Sequence, residues 1–279
     1  MAALLLHIPL SAQNLNNEVK RLFMLIVECK KLPILFACLF LSLQIFAQDN
    51  NTLLREANNL ELKFDEPGAL EKYKQVVTND GSNVKAMVKC AELNINIGSR
   101  EKDKNSKANY FQLANSYAQQ AYLKDSANSD ACYAVALVAY KMTELDPDNK
   151  ELIENIKQIK TYSDKALAVN ANSAKANHIL GMWHFELIRS NWIKKQPVKN
   201  FYHGIFDTQV DSAVYYMEKA RTIEPYFAIN YLDLAKVYVY DHRPEKALGV
   251  LEKLVKLPNR TYDDPAIKEE GQKLLAIIQ

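Results

Sequence analysis

The chain has 279 residues, 48% of them hydrophobic, with only 7 glycines and 9 prolines and a formal charge of +2. So few helix-breaking residues favour a helical build. Lys20, Arg21, Lys30 and Lys31 against Glu18 and Glu28 account for the +2 within the first 47 residues, which leaves a body of 31 bases and 31 acids and excludes a nonspecific nucleic-acid binder.

The first expected element is a targeting segment. Lys30 and Lys31 precede the apolar run LPILFACLFLSLQIFA, residues 32–47, after which the polar QDNNT begins. A charged flank, a short apolar run and a small residue before a polar stretch describe a secretory signal peptide. At 16 residues the run is shorter than the ~20 a spanning helix needs. Residues 1–47 are therefore expected to be a signal peptide cut after Ala47, with Met24 as an alternative start. The rival readings are an uncleaved anchor and a lipoprotein acylated at Cys38. Export places residues 48–279 in the periplasm of a Gram-negative bacterium. Cys90 and Cys132 survive cleavage and fall at helix-packing positions. Two buried apolar side chains is one reading of them and a bridge is the other.

Residues 48–279 are expected to form one helical repeat domain. Its clearest unit is FAINYLDLAKVYVYDHRPEKALGVLEKLVKLP, residues 227–258. Apolar residues recur there at helical spacing in two halves joined by a turn at Asp241–Pro244. Tyr231, Leu234, Ala235 and Tyr238 line the first helix; Ala247, Leu251 and Leu254 line the second. This resembles the tetratricopeptide repeat, in which small residues sit where the two helices of a hairpin cross. Tracking such residues along the chain places Ala57, Ala91, Ala136, Gly181 and Ala235 on first helices. Ala69, Ala114, Ile159, Ala213 and Ala247 fall on second helices, with Ile159 the one bulky member. Each step from a second helix to the next first helix is 22 residues, whereas the steps within hairpins are 12, 23, 23, 32 and 12. The middle three hairpins thus carry extra residues at their tips. An insertion of 11 is close to three helical turns and keeps the apolar face in phase. The fold class is all-α: a tetratricopeptide-like helical-hairpin solenoid with lengthened middle hairpins. Residues 263–278 are expected to close it with a capping helix.

The stretch KANHILGMWHFELIRSNWIKK, residues 175–195, looks most like chemistry. His178 and His184 lie six apart, roughly 240° around a helix, so they cannot share a metal ion. Leu180, Gly181, Trp183 and Leu187 fit a packed first helix instead. Neither a Gly-rich phosphate loop nor a nucleophile elbow nor a working carboxylate pair is present, so no enzyme and no cofactor is expected.

The same region carries a more specific likeness. His178, Leu180, Gly181, Trp183, Trp192, Ala213, Ala220, Pro225, Asn230, Leu234 and Tyr238 match a pattern that resembles the regulator of microtubule dynamics family over residues 165–279. The resemblance implies a tetratricopeptide-like domain that binds other proteins and catalyses nothing. The signal segment departs from the family's cytosolic and organelle-surface members, so a microtubule role does not carry over, and a bacterial exported relative is expected.

In tetratricopeptide units the first helices line a concave groove. The register above puts Lys85, Val88, Glu92 and Ile95 there, then Asp130, Tyr133, Leu137 and Tyr140. The next units add Lys175, His178, Met182 and Phe185, then Ile229, Leu232, Lys236 and Val239. Aromatic pockets beside charges suit an extended peptide or a protein helix as partner. The aromatic and lysine-rich tip at 190–207, with Trp192, Lys194, Lys195, Phe201 and Tyr202, is a second candidate, for a membrane surface or a small ligand.

Overall fold

The computed structural model describes residues 50–189 and 210–279. The described helices are α1 (residues 50–62), α2 (Glu66–Asn79), α3 (Val84–Arg100), α4 (Lys104–Lys124), α5 (Ser129–Met142) and α6 (Asn149–Val169). After them come α7 (Ala174–Arg189), α8 (Val210–Ile223), α9 (Ala228–Tyr240), α10 (Pro244–Leu254) and α11 (Asp264–Ile278). A 3-10 turn, Thr143–Leu145, follows α5. No strand occurs among the described residues. The expected signal segment lies outside them.

Consecutive helices pair as hairpins, and the first helices α3, α5, α7, α9 and α11 lie side by side in Leu53–Gln279. This is the arrangement of a helical-hairpin solenoid. All ten register residues are buried: the alanines and Ile159 are fully enclosed, and Gly181 is buried within α7. The notches are steric. A Cβ at Gly181 would stand 2.7 Å from Met217 Cγ and 3.2 Å from the Ala213 carbonyl oxygen, so only glycine lets α7 and α8 approach this closely. At the far end of the stack, a Cβ at Gly271 would meet Leu254 Cδ2 at 2.6 Å, which seats the closing helix α11 on α10.

The tip insertions are divided unequally. α1 runs five residues beyond Ala57, while α3 runs nine beyond Ala91; α2 starts three residues before Ala69, while α4 starts ten before Ala114. One turn is added to the first helix and two to the second. The next hairpin repeats this, with the 3-10 turn extending α5 and α6 starting ten residues before Ile159. Whole turns keep the apolar stripe facing its neighbour.

Turns between hairpins recur with the same bonds. Asp80, Asp125 and Asn170 each follow a second helix, and their side chains accept the amide two residues on, from Ser82, Ala127 and Asn172, at 3.0, 3.1 and 3.0 Å. Three residues further, Asn83, Asn128 and Ser173 cap the next first helix by accepting from Ala86, Ala131 and Ala176. These bonds satisfy helix-end donors that would otherwise be orphaned. The fourth turn differs. Glu224 stands where the Asp or Asn does, and Phe227 stands at the cap without a side-chain bond.

Four contiguous cores fill the stack. Trp183, 1% exposed, is the largest side chain in the third, and its indole N–H donates to the Ile156 carbonyl at 3.0 Å. Cys90 and Cys132 are both buried free thiols, and burial pushes the Cys90 thiol up to about 12. No described helix is long and apolar enough to cross a membrane.

Candidate functional site

The concave face holds a cavity of about 470 Å³. α3, α5, α7 and α9 form its floor and walls, the turn 224–227 enters from one side, and residues 260–267 border it on another. Its volume lies within the ~300–1,000 Å³ of ordinary ligand pockets.

The cavity is organised by ion pairs that cross between hairpins. Lys89 bridges Glu61 at 2.9 Å and Glu92 at 3.5 Å, and Lys175 reaches the same Glu92 at 2.5 Å. This chain joins α1, α3 and α7. Lys175 keeps 39% of its side chain open to water, yet burial is the strongest influence on it and pulls the ammonium down; Glu92 outweighs that and holds it above its usual range. Burial pushes the Glu92 carboxyl up, but Lys175 and Lys89 together bring it below the usual carboxylate range. Lower down, His178 Nε2 and Asp233 lie 3.0 Å apart, and Lys236 bridges Asp233 at 3.5 Å and Glu270 at 2.9 Å. Burial raises Asp233, and the His178 hydrogen bond with the nearby positive charges brings it below its ordinary value. Tyr133 and Tyr140 stand between these groups, both held well above 10 by burial first and by neighbouring carboxylates second.

One contact ties the two ends of the stack together beside the cavity. Arg100, at the end of α3, binds the buried Glu66 at the start of α2. The same guanidinium donates to both oxygens of Asp263 at 2.9 and 3.0 Å and lies 4.3 Å over the Tyr262 ring. Asp264, the first residue of α11, accepts from the amides of Arg260 and Thr261 and from the Thr261 hydroxyl, which fixes the segment leading into that helix. The second hairpin and the capping helix are thereby clasped across the cavity.

Of the expected groove residues, Glu92, Tyr133, Tyr140, Lys175 and His178 meet in the lining, with Ile95, Leu137 and Ile229. The rest do not. Lys85 is exposed and stands outside the lining; Lys89, one turn on, occupies the cavity instead. Met182 and Phe185, 5% and 1% exposed, are part of the core, and so is Leu232 at 1%. Lys236 stands just beyond the lining, held by Asp233 and Glu270. On α3 the inner face runs through Lys89, Glu92, Asn96 and Ser99, and Lys85, one turn earlier, falls short of the cavity. Sequence reasoning passed over Lys89, Asp233, Glu224, Phe227 and Asp263. The i, i+3 pairs Lys89–Glu92 and Asp233–Lys236 were the local signals; the others depend on the stack's curvature. Trp192, Lys194, Lys195, Phe201 and Tyr202 lie outside the described residues.

His184 shares no ligand set with His178. It stacks on Tyr216 with centroids 5.6 Å apart, meets Trp183 edge-on, and burial lowers its pKa from 6.5 to about 4. Among the described residues no group of three His, Cys, Asp or Glu side chains is placed to hold a metal ion.

Stacked hairpins with small residues at each crossing and a lined inner face define a tetratricopeptide-like protein. A structure from Thermus thermophilus, described as the thermophilic TPR protein TTC0263, superposes with a TM-score of 0.60 at 13% identity, covering 80% of this chain and 99% of that one. The family model described as Regulator of microtubule dynamics protein 1-3 matches residues 53–279, and the chain belongs to that family. Its relatives include human Regulator of microtubule dynamics protein 1, 26% identical over 57% of this chain and 51% of that protein. Regulator of microtubule dynamics protein 3 of Bos taurus is 21% identical over 83% of this chain and 50% of that protein. The chain thus spans about half the length of these curated relatives. The residues that carried the resemblance are largely packing residues: Asn230 donates to the Met217 carbonyl at 3.0 Å, and the Tyr238 hydroxyl to Glu218 at 2.7 Å.

Proposed function

We propose that this chain is a non-catalytic protein-interaction module that works outside the cytoplasm and holds a segment of a partner polypeptide in the concave cavity. The supporting observation is the cavity itself. The first helices of successive hairpins converge on it, and it combines aliphatic side chains, tyrosines and paired ions in the manner of a recognition pocket rather than a reaction centre. Glu92, Tyr133, Tyr140, Lys175 and His178 are the proposed partner contacts, with Lys89 in place of Lys85. The apolar run 32–47 behind Lys30 and Lys31 supports the location.

The test places a photo-crosslinking amino acid at Leu137 in the cavity and, separately, at Gln158 on the opposite face. Adducts from Leu137 that disappear when Ile229→Trp fills the cavity are expected. Equal adducts from both positions, or adducts indifferent to Ile229→Trp, refute the cavity as the binding surface. For the location, a phosphatase that is active only after export is fused behind residue 60; an inactive fusion refutes export.

A further inference from the structure

Six carboxylates line the cavity, and five have partners. Glu61 binds Lys89, Glu92 binds Lys89 and Lys175, and Asp233 meets His178. Asp263 binds Arg100, and Asp264 accepts from Thr261. Glu224 has no side-chain hydrogen bond or ion pair among the described residues. Its position in the fold explains why. Asp80, Asp125 and Asn170 spend the equivalent side chain on their own turn. Glu224 is one methylene longer, is followed by Pro225, and leaves its turn to be closed by backbone alone, through Phe227 N to the Glu224 carbonyl at 3.2 Å. Its carboxylate is released to the cavity. There its charge reaches Tyr133 and Lys175, although Lys175 is committed to Glu92.

A second group points the same way. Tyr133 is 6% exposed and lines the cavity, and its hydroxyl has no hydrogen-bond partner among the described residues. The hydroxyl opens onto the cavity, where a ligand atom or water can meet it. The lining holds four Lys or Arg residues against the six acids, a formal charge of −2 with His178 neutral. Arg260, the one lining base without an acidic side chain paired to it among the described residues, is exposed at the rim with its guanidinium 4.0 Å over the Tyr226 ring.

We propose that the cavity accepts the ammonium group of a lysine side chain carried by the partner segment, with Glu224 as its counter-ion and the Tyr133 hydroxyl as a second acceptor. The inference rests on the cavity-binding reading given above. The partner is thus a polypeptide with a lysine in an extended stretch. The same lining disfavours an acidic one, because a carboxylate there would face Glu224, while the one unpaired lining base among the described residues, Arg260, lies at the rim over the Tyr226 ring.

The experiment titrates the full chain with Ac-Gly-Ala-Lys-Ala-Gly-amide and with its norleucine and glutamate counterparts, by NMR and calorimetry. The lysine peptide is expected to bind at least ~10-fold tighter than the norleucine peptide, in line with a charge-assisted hydrogen bond. That preference should vanish in Glu224→Gln and shrink in Tyr133→Phe. Glu151→Gln on the opposite face should keep it. Glu224→Gln removes a carboxylate that holds nothing in the fold, so it leaves the melting temperature unchanged. Equal binding of the lysine and norleucine peptides, a preference for glutamate, or a lysine preference that survives Glu224→Gln overturns the proposal and leaves the cavity reading standing. If none of the peptides binds, both fall.

Discussion

Gly181→Ala tests the notch at the α7–α8 crossing. The new methyl would stand 2.7 Å from Met217 Cγ and 3.2 Å from the Ala213 carbonyl, and Met217 is fully buried with no room to retreat. Overpacking of this kind costs about 1–3 kcal/mol. Alanine repays about 1 kcal/mol through its better helix propensity, so a net loss of about 1 kcal/mol is expected. Met217→Ala alone should cost about 2–4 kcal/mol by opening a cavity. In the double variant the methyl enters that cavity, and only the Ala213 carbonyl still presses on it. The double should therefore be more stable than the sum of the singles by about 1–2 kcal/mol, well beyond the ~0.5 kcal/mol within which distant sites add. Urea denaturation followed by circular dichroism measures all four corners of the cycle. Additive costs would refute the idea that glycine is required by close approach of the two helices.

Other predictions concern charge and burial. His184 is depressed from 6.5 to about 4, so the unfolded chain binds the extra proton between those values and stability rises with pH across that window. Discounted for its partial exposure, the loss on acidification from pH 7 to 4 is about 2 kcal/mol, and His184→Phe should flatten the thermal melting profile there. Glu92 and Asp233 are held below the usual carboxylate range, so their contribution is present above it and disappears only at lower pH, as each passes its folded value. Arg100→Met should cost about 1–3 kcal/mol, because it strands the buried Glu66. It should also speed amide exchange at the start of α11 while sparing α9. Trp183→Phe should cost about 1–3 kcal/mol through the unmet Ile156 carbonyl and lost volume, read by denaturant midpoint.

The helical stack was readable because its cause is local and periodic. Ala91, Ala136, Gly181 and Ala235 recur at the crossings because nothing larger fits there, and that constraint is written one residue at a time. The long hairpins α3–α4 and α5–α6 were readable for the same reason, since their insertions are whole turns. Ile159 looked like a break in the pattern but is fully buried with Trp183 and Ile156. The cavity was only half readable. Glu92, Tyr133, Tyr140, Lys175 and His178 follow from helix periodicity. That Lys89 and not Lys85 lines the cavity depends on how far along α3 the cavity reaches, and Met182 and Phe185 are enclosed with residues of α9. Arg100 and Asp263 are 163 residues apart, a distance at which no pattern along the chain links them.

An open array of hairpins unravels from its ends, because each unit leans only on its neighbours. The Arg100 clasp alters that accounting. Loosening α11 here means parting a guanidinium from two carboxylates and a ring, one of them fixed at the opposite end of the row. Fraying at either end is then felt at both, so the stack should melt as a single cooperative body rather than unit by unit. The cavity is bordered by residues from both ends of that body, Glu61 and Ile267 among them, so its shape should last as long as the stack itself.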